Sequence, residues 1–276
     1  MRIGATMSRL RSYITSLCYQ AVAEIKLFWR SREAVVLTVV TPMLGMALFV
    51  YLNREGMLDR VYGALLRGMG GGEAGVEALN PLVYMTIGMV VYCVIAAAFE
   101  TPTPHLVRQR QGGILKRLGG TPLPTWALLV AKTLSASTLV LPEVTLIFAV
   151  GLISSDLSVA GSWWTLGVIL LLGTFNLAAL SFILSSLVSS ADAAVVAVHA
   201  VYIPMLLLCG AFVPLEAMPK ALATVARFLP LTYFAGPFHS VMTEGTGLVA
   251  NGGDLLILLA WTAGAWIVAV KLFRWE

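Results

Sequence analysis

The sequence predicts an all-α integral membrane protein. It has six transmembrane helices, an N-terminal interfacial amphipathic helix, a short basic helix between spans two and three, and a re-entrant hairpin on the opposite side between spans five and six. Three observations predict this. Of 276 residues, 59% are hydrophobic and only 12% charged, against roughly a quarter charged in soluble domains. Charge-free runs recur at the length a helix needs to cross the hydrocarbon, about 20 residues. The basic residues stand in short clusters beside those runs, the arrangement that orients a chain in a bilayer. The same clustering turns the formal net charge of +4 away from nucleic acid, which takes a continuous basic face.

The first element is the helix predicted over 8–32. Leu10, Ile14, Leu17, Ala21, Ile25 and Phe28 recur at steps of three and four, while Arg11, Thr15, Gln20, Glu24 and Lys26 fall elsewhere on the wheel. This is the pattern of a helix lying in the interface, as a simple anchor or as a lever touching a partner. No apolar core ending in a small-residue cleavage site follows Arg2, Arg9 and Arg11, so the segment is expected to be retained. The spans are predicted at about 34–53, 80–99, 125–153, 163–188, 193–213 and 254–272, the last anchored by Trp261 and Trp266. Residues 214–240 are apolar too, but Arg227 sits among them and Pro214, Pro219, Pro230 and Pro237 break them. Non-helical backbone at membrane depth must be covered by protein or water, which suits a re-entrant pair of short helices.

With six spans, one side receives Arg2, Arg9, Arg11, Lys26, Arg30 and Arg32, then Arg108, Arg110, Lys116 and Arg117, then Lys271 and Arg274. On the other side Arg54, Arg60 and Arg67 are diluted by Glu55, Asp59, Glu73 and Glu77, and Lys220 and Arg227 follow in the re-entrant region. Both termini are therefore expected in the cytoplasm.

The stretch "RQRQGGILKRLGGTPLP" from Arg108 to Pro124 then faces the cytoplasm and carries no acid. The positive-inside rule alone accounts for a basic loop. The interleaving of Ile114, Leu115 and Leu118 with Lys116 and Arg117, between Gly112-Gly113 and Gly119-Gly120, instead predicts a helix of barely two turns with one apolar and one basic face, a shape that fits a groove on another protein. The order of Arg108, Arg110, Gly113, Leu115, Arg117, Leu118, Thr121, Pro122 and Leu123 resembles the loop between spans two and three of ABC-2 type transporter permeases. "LLCGAFVPLEAMPKALATVARFLPLTYFAGPFHSV" is similar to that family's segment after span five, with Gly210, Phe212, Pro214, Met218, Pro219, Phe228, Pro230, Leu231 and Tyr233 in place. The likeness covers essentially the whole chain.

The resemblance implies a single ABC-2 type transmembrane domain over 1–276 in the cytoplasmic (inner) membrane of a prokaryote. It implies the membrane half of an exporter for an amphipathic, drug-like or lipid-like molecule, working by alternating access. The partners it implies are a separate ATP-binding-cassette ATPase subunit, a second copy of the permease in a 2+2 complex, and membrane lipid. Mg-ATP would sit on the ATPase and no cofactor on this chain, which has no GxxxxGK[ST] loop of its own. The coupling loop would be 102–120, with Arg108, Arg110, Gly113, Leu115, Lys116, Arg117 and Leu118 at the ATPase interface. Family members commonly carry acids at the positions of Gln109, Gln111 and Lys116; their absence here suggests an acidic docking groove on the ATPase. Phe212, Pro214, Glu216 and Pro219 would belong to the extracellular gate, Glu216 alternatively capping the short helix near Pro219.

Spans two and five would wall the substrate route, offering Tyr84, Met85, Met89 and Tyr92 on one and His199 and Tyr202 on the other. A Met and aromatic face adapts to varied apolar ligands, and equally well packs a core. Glu143 follows Pro142 inside span three, where an ionised side chain costs about 2.5–3.5 kcal/mol; it serves the pathway or bonds a neighbouring helix. Asn176, Ser181, Ser185 and Ser186 suit helix packing. Cys18, Cys93 and Cys209 are isolated packing residues, and three histidines without a ligand-spaced cluster make no metal site. A proton-coupled secondary transporter using Glu143 and His199 is the alternative function; it predicts internal repeats and paired broken spans, which the sequence lacks. A lipid-acting enzyme would need nucleophiles or acids gathered at one surface, where the loops are basic.

Overall fold

The computed structural model describes Val22, Lys26 and residues 32–68, 80–121, 124–153 and 159–275, and the regular structure among them is helical. The interfacial helix predicted over 8–32 and the glycine-rich stretch after Gly68 thus lie almost wholly outside the described residues, as do Pro122 and Leu123.

Helix α1, Arg32–Arg54, covers the first predicted span and takes Pro42 in its interior. Met46 is fully buried, whereas Leu44, Leu48 and Tyr51 stay exposed on the outer faces. Such an apolar surface on a helix of this length suits lipid. Next comes α2, Met57–Gly68, which the sequence reading leaves inside a loop. Leu58, Tyr62 and Leu66, at steps of four, are buried, and Met57, Val61 and Leu65 one residue earlier are exposed. Its charged residues hid this apolar stripe at the sequence level.

The longest helix is composite. In α3, Pro81–Ile95, Asn80 caps the start by accepting from the Leu82 amide at 3.0 Å, and Pro81 takes a position whose missing N–H costs nothing. A π turn over Ala96–Glu100 carries it without interruption into α4, Pro102–Gln111. The whole runs 31 residues, about 46 Å at 1.5 Å per residue. The second predicted span therefore does not end at Phe99, and the first half of the supposed coupling loop is rigid helix. Pro102 and Pro104 read as breakers, but the wider π turn, closed by Thr101 N–H on the Ala96 carbonyl at 3.0 Å, leaves room for the Pro102 ring.

After the short α5, Ile114–Gly119, come α6, Thr125–Ile153, α7, Trp163–Leu187, and α8, Ala191–Leu208. The fifth helix stops before the predicted 213 because Gly210 turns the chain at φ +83°. A 3₁₀ turn at Leu215–Ala217, α9, Lys220–Ala226, and α10, Thr232–Glu244, resolve the predicted re-entrant segment into two short helices. Helix α11, Gly252–Leu272, completes the bundle.

Among the described residues five helices are long and apolar enough to cross a membrane: Pro81–Gln111, Thr125–Ile153, Trp163–Leu187, Ala191–Leu208 and Gly252–Leu272. The first is central, 89% of its apolar window being buried, while α8 and α11 bury only 22% and 28% and lie at the periphery. Helix α3 packs on α1 and α6, and α7 on α11, α10 and α4. Trp266 is a packing residue rather than an interfacial anchor: its indole N–H donates to the Phe175 carbonyl at 3.1 Å and its ring stands edge-on to Phe182.

Candidate transport site and coupling surface

At one end of the composite helix, Gly113 at φ +69° makes a left-handed corner that a side chain would strain, and α5 turns away from α4 there. Leu115 is buried, Leu118 half-buried, and Ile114, Lys116 and Arg117 face outward. The predicted free apolar face is thus partly spent on the protein itself. Trp275 closes the other side, its indole so near Gly119 that a Cβ would stand 3.1 Å from it.

Three residues of the basic stretch reach back onto the protein. The Arg110 guanidinium donates to the Ser185 carbonyl at 2.9 Å and to the Val188 carbonyl, covering the carbonyl end of α7. Gln111 reaches the Ser189 carbonyl at 3.2 Å. Gln109 is buried, accepting from the Lys132 ammonium at 3.0 Å and lying 2.9 Å from His105 Nε2. Its oxygen is taken by lysine, so its amide N–H faces His105, and that ring nitrogen accepts. Gln109 therefore serves an internal network rather than a face open to a partner.

Above this network lies a cavity of about 710 Å³ between α4, α6 and α8. Arg108, Gln109 and Lys132 stand at one part of its wall, and Ala97, Leu139 and Val198 at another. His199 also lines it, 3.5 Å from Glu100 and tilted against Tyr202 with ring centroids 5.2 Å apart. Of the route residues expected from sequence, His199 alone borders this space; Tyr84, Met85, Met89, Tyr92, Glu143 and Tyr202 do not. Glu143 is buried beside Cys93, with no nitrogen or oxygen donor on either carboxylate oxygen among the described residues. Glu143 and His199 are not brought into one site. Sequence reasoning missed Glu100, Gln109 and His105; the signal was there as polar residues directly after a charge-free run.

The opposite end is aromatic. The Phe212 ring lies on Gly88 of α3 so closely that a Cβ there would be 2.2 Å from a ring carbon. Tyr62 of α2 donates to the Phe212 carbonyl at 2.8 Å, and burial pushes its phenol pKa up, which keeps it a donor. The Tyr84 ring lies tilted against His239 at 4.5 Å and neighbours Tyr62 at 6.1 Å. Burial pushes His239 down from the ordinary histidine value, partly offset by Glu244 and Glu216. Pro214 and Pro219 precede the 3₁₀ turn and α9, and neither carries a side-chain cap, so Glu216 does not cap α9. Asn176 bonds Thr262 of α11 at 3.2 Å and Ser181 bonds Thr103 of α4 at 2.9 Å, the helix-packing role expected of them.

A bundle of spanning helices around a cavity with both polar and apolar walls, with a short basic helix at one end, marks a multi-pass membrane protein. The ABC-2 type transporter family matches residues 15–243, and the chain belongs to that family. It is 25% identical over 189 residues to the "Probable multidrug ABC transporter permease YbhR" of Escherichia coli (strain K12), covering 68% of this chain and 49% of that protein. It is 23% identical over 243 residues to the "Putative transport permease YvfS" of Bacillus subtilis (strain 168), covering 88% and 90%. The match spans about half the length of the first relative and nearly all of the second.

Proposed function

We propose that this chain is the permease subunit of an ATP-driven exporter that moves an amphipathic, drug-like or lipid-like molecule across the cytoplasmic membrane by alternating access. In this reading α1 supplies a sixth span and both termini are cytoplasmic. The end bearing α5 faces the cytoplasm and meets a separate ATP-binding subunit, and the aromatic end faces outward as the gate. A second permease completes the complex. The observation that carries the reading is mechanical. A 31-residue helix joins the aromatic end directly to the corner from which α5 projects, so a push on Ile114, Lys116 and Arg117 has a stiff element to act on. The cavity lies along that element, where its tilt would change the opening.

The test is purification of the chain from its native membrane in mild detergent, with the accompanying proteins identified by mass spectrometry. An equimolar soluble subunit bearing GxxxxGK[ST] is expected. A chain that purifies alone and transports without ATP would overturn the reading.

A further inference from the structure

We propose that Glu100 and His199 form a proton-binding site that clasps α8 to the central helix, so that loss of the proton lets the cavity between α4, α6 and α8 widen. Such a site sets the width of the cavity whatever the cavity carries.

The imidazole requires the proton. Its Nδ1 lies 2.8 Å from the Val195 carbonyl, and its Nε2 lies 3.5 Å from the Glu100 carboxylate. Both neighbours are acceptors, whereas a neutral imidazole has one N–H to give. One neutral tautomer turns its lone pair on the Val195 oxygen; the other turns it on Glu100. Two arrangements satisfy both contacts. Either an imidazolium donates to each, or a ring with Nδ1–H accepts at Nε2 from a neutral Glu100. Each holds one proton more than a neutral ring beside a carboxylate. The second Glu100 oxygen is buried with no partner among the described residues, so no other donor there offsets the loss of that proton.

The pair sits where two helices meet. Glu100 ends the π turn of the central helix, and α8 packs on that turn, on α3 and on α4. Only 22% of the apolar window of α8 is buried, against 89% in the central helix, so its hold on the bundle is slight. Among the described residues, Tyr92 of α3 and Tyr202 of α8 lie near Glu100, and free phenols stay neutral where histidines titrate. His105 and Arg108 of α4 and Lys132 of α6 line the same cavity, and Glu143 of α6 lies near Tyr92. Asp192 begins α8 seven residues before His199, about 10 Å away along the axis. A gap of 3.5 Å admits none of them between Nε2 and the carboxylate. The clasp is therefore closed in acid and opens as pH rises, when two acceptors are left face to face.

The test uses the purified full-length chain in lipid nanodiscs, labelled with nitrogen-15 histidine. The chain has three histidines, and His199→Gln identifies the signal of His199. A second sample carries nitroxides on Trp126→Cys and Val196→Cys, exposed positions of α6 and α8, with Cys18→Ser and with Cys93 and Cys209 buried. Between about pH 5 and about pH 9 the His199 signal should lose its Nε2 proton or hydrogen bond. Over the same range the distance between the nitroxides should grow by about 2 Å, the scale of helix shifts in switching proteins. Glu100→Gln sets an amide donor that does not titrate against Nε2, and should keep His199 in the Nδ1–H form and the nitroxides at their acid distance throughout. If Glu100→Gln does not fold, His199→Gln serves, its amide donating to the carboxylate. A distance that ignores pH, or that changes equally in the variant, overturns the proposal, as does an Nε2 signal free of any proton in acid. These readouts need no ATP, ATPase or cargo, so their outcome is separate from that of the transport reading.

Discussion

The two ends of the composite helix are built on different physics. At the basic end, Arg110 covers the carbonyl end of α7, Gln109 joins Lys132 to His105, and Glu100 faces His199. At the aromatic end, Phe212 lies on Gly88 and Tyr84 on His239, with one hydrogen bond from Tyr62. Charged bonds to buried carbonyls are costly to break, because the partner is left unsatisfied. Rings on a glycine can part without stranding a charge. The contrast teaches that the basic end holds its helices together through bonds to polar partners, and the aromatic end through the fit of rings.

The sharpest way to break this comparison is at the surface of the basic end. Arg117→Glu should reduce ATP-dependent efflux to background while membrane insertion is unchanged; wild-type efflux would remove α5 from the coupling path. At the aromatic end, Gly88→Leu should drive Phe212 off its seat at a cost of about 3 kcal/mol, read as a lower midpoint of thermal unfolding and faster labelling of a cysteine placed at 212. Arg110→Ala should cost about 2 kcal/mol, since the guanidinium is partly exposed, and should loosen hydrogen exchange at Ser185 and Val188 without touching the aromatic end. Tyr62→Phe removes one neutral bond and should cost about 1 kcal/mol, with labelling at 212 rising modestly. The smallest effect is one of pH. His239 is held below the ordinary 6.5 in the folded protein, so the unfolded chain takes its proton first and stability falls as pH drops through about 6.5. Exchange at the aromatic end should quicken in acid, and His239→Gln should flatten that dependence.

The spans were legible because a charge-free run of 20 residues has few other uses. The break of 214–240 into short helices was legible from its prolines. What the sequence hid were single residues whose meaning depends on distant partners. Arg110 looks like any cytoplasmic arginine, and the carbonyls it covers lie 75 and 78 residues away. Lys132 reads as an interfacial charge until Gln109 comes across from another helix. Gly88 stands among apolar neighbours with nothing to mark the ring that fills its place. Helix α2 was hidden by its own charges, Asp59, Arg60 and Arg67, which equal in number the stripe that Leu58, Tyr62 and Leu66 present.

The π turn at Ala96–Glu100 holds one residue more than a regular ladder would. Each residue of an α-helix advances the wheel by about 100°, so the turn sets the two halves of one rod in different phases. Upstream, Gly88 points at Phe212; downstream, Gln109 points at Lys132 and Arg110 at the end of α7. Removing a single alanine from the wide turn would let it close to a regular one, whereas removing one residue beyond it would swing every later contact around the axis. The alignment of aromatic end and polar network on one helix is thus an angular setting, stored in the count of residues rather than in the identity of any one of them.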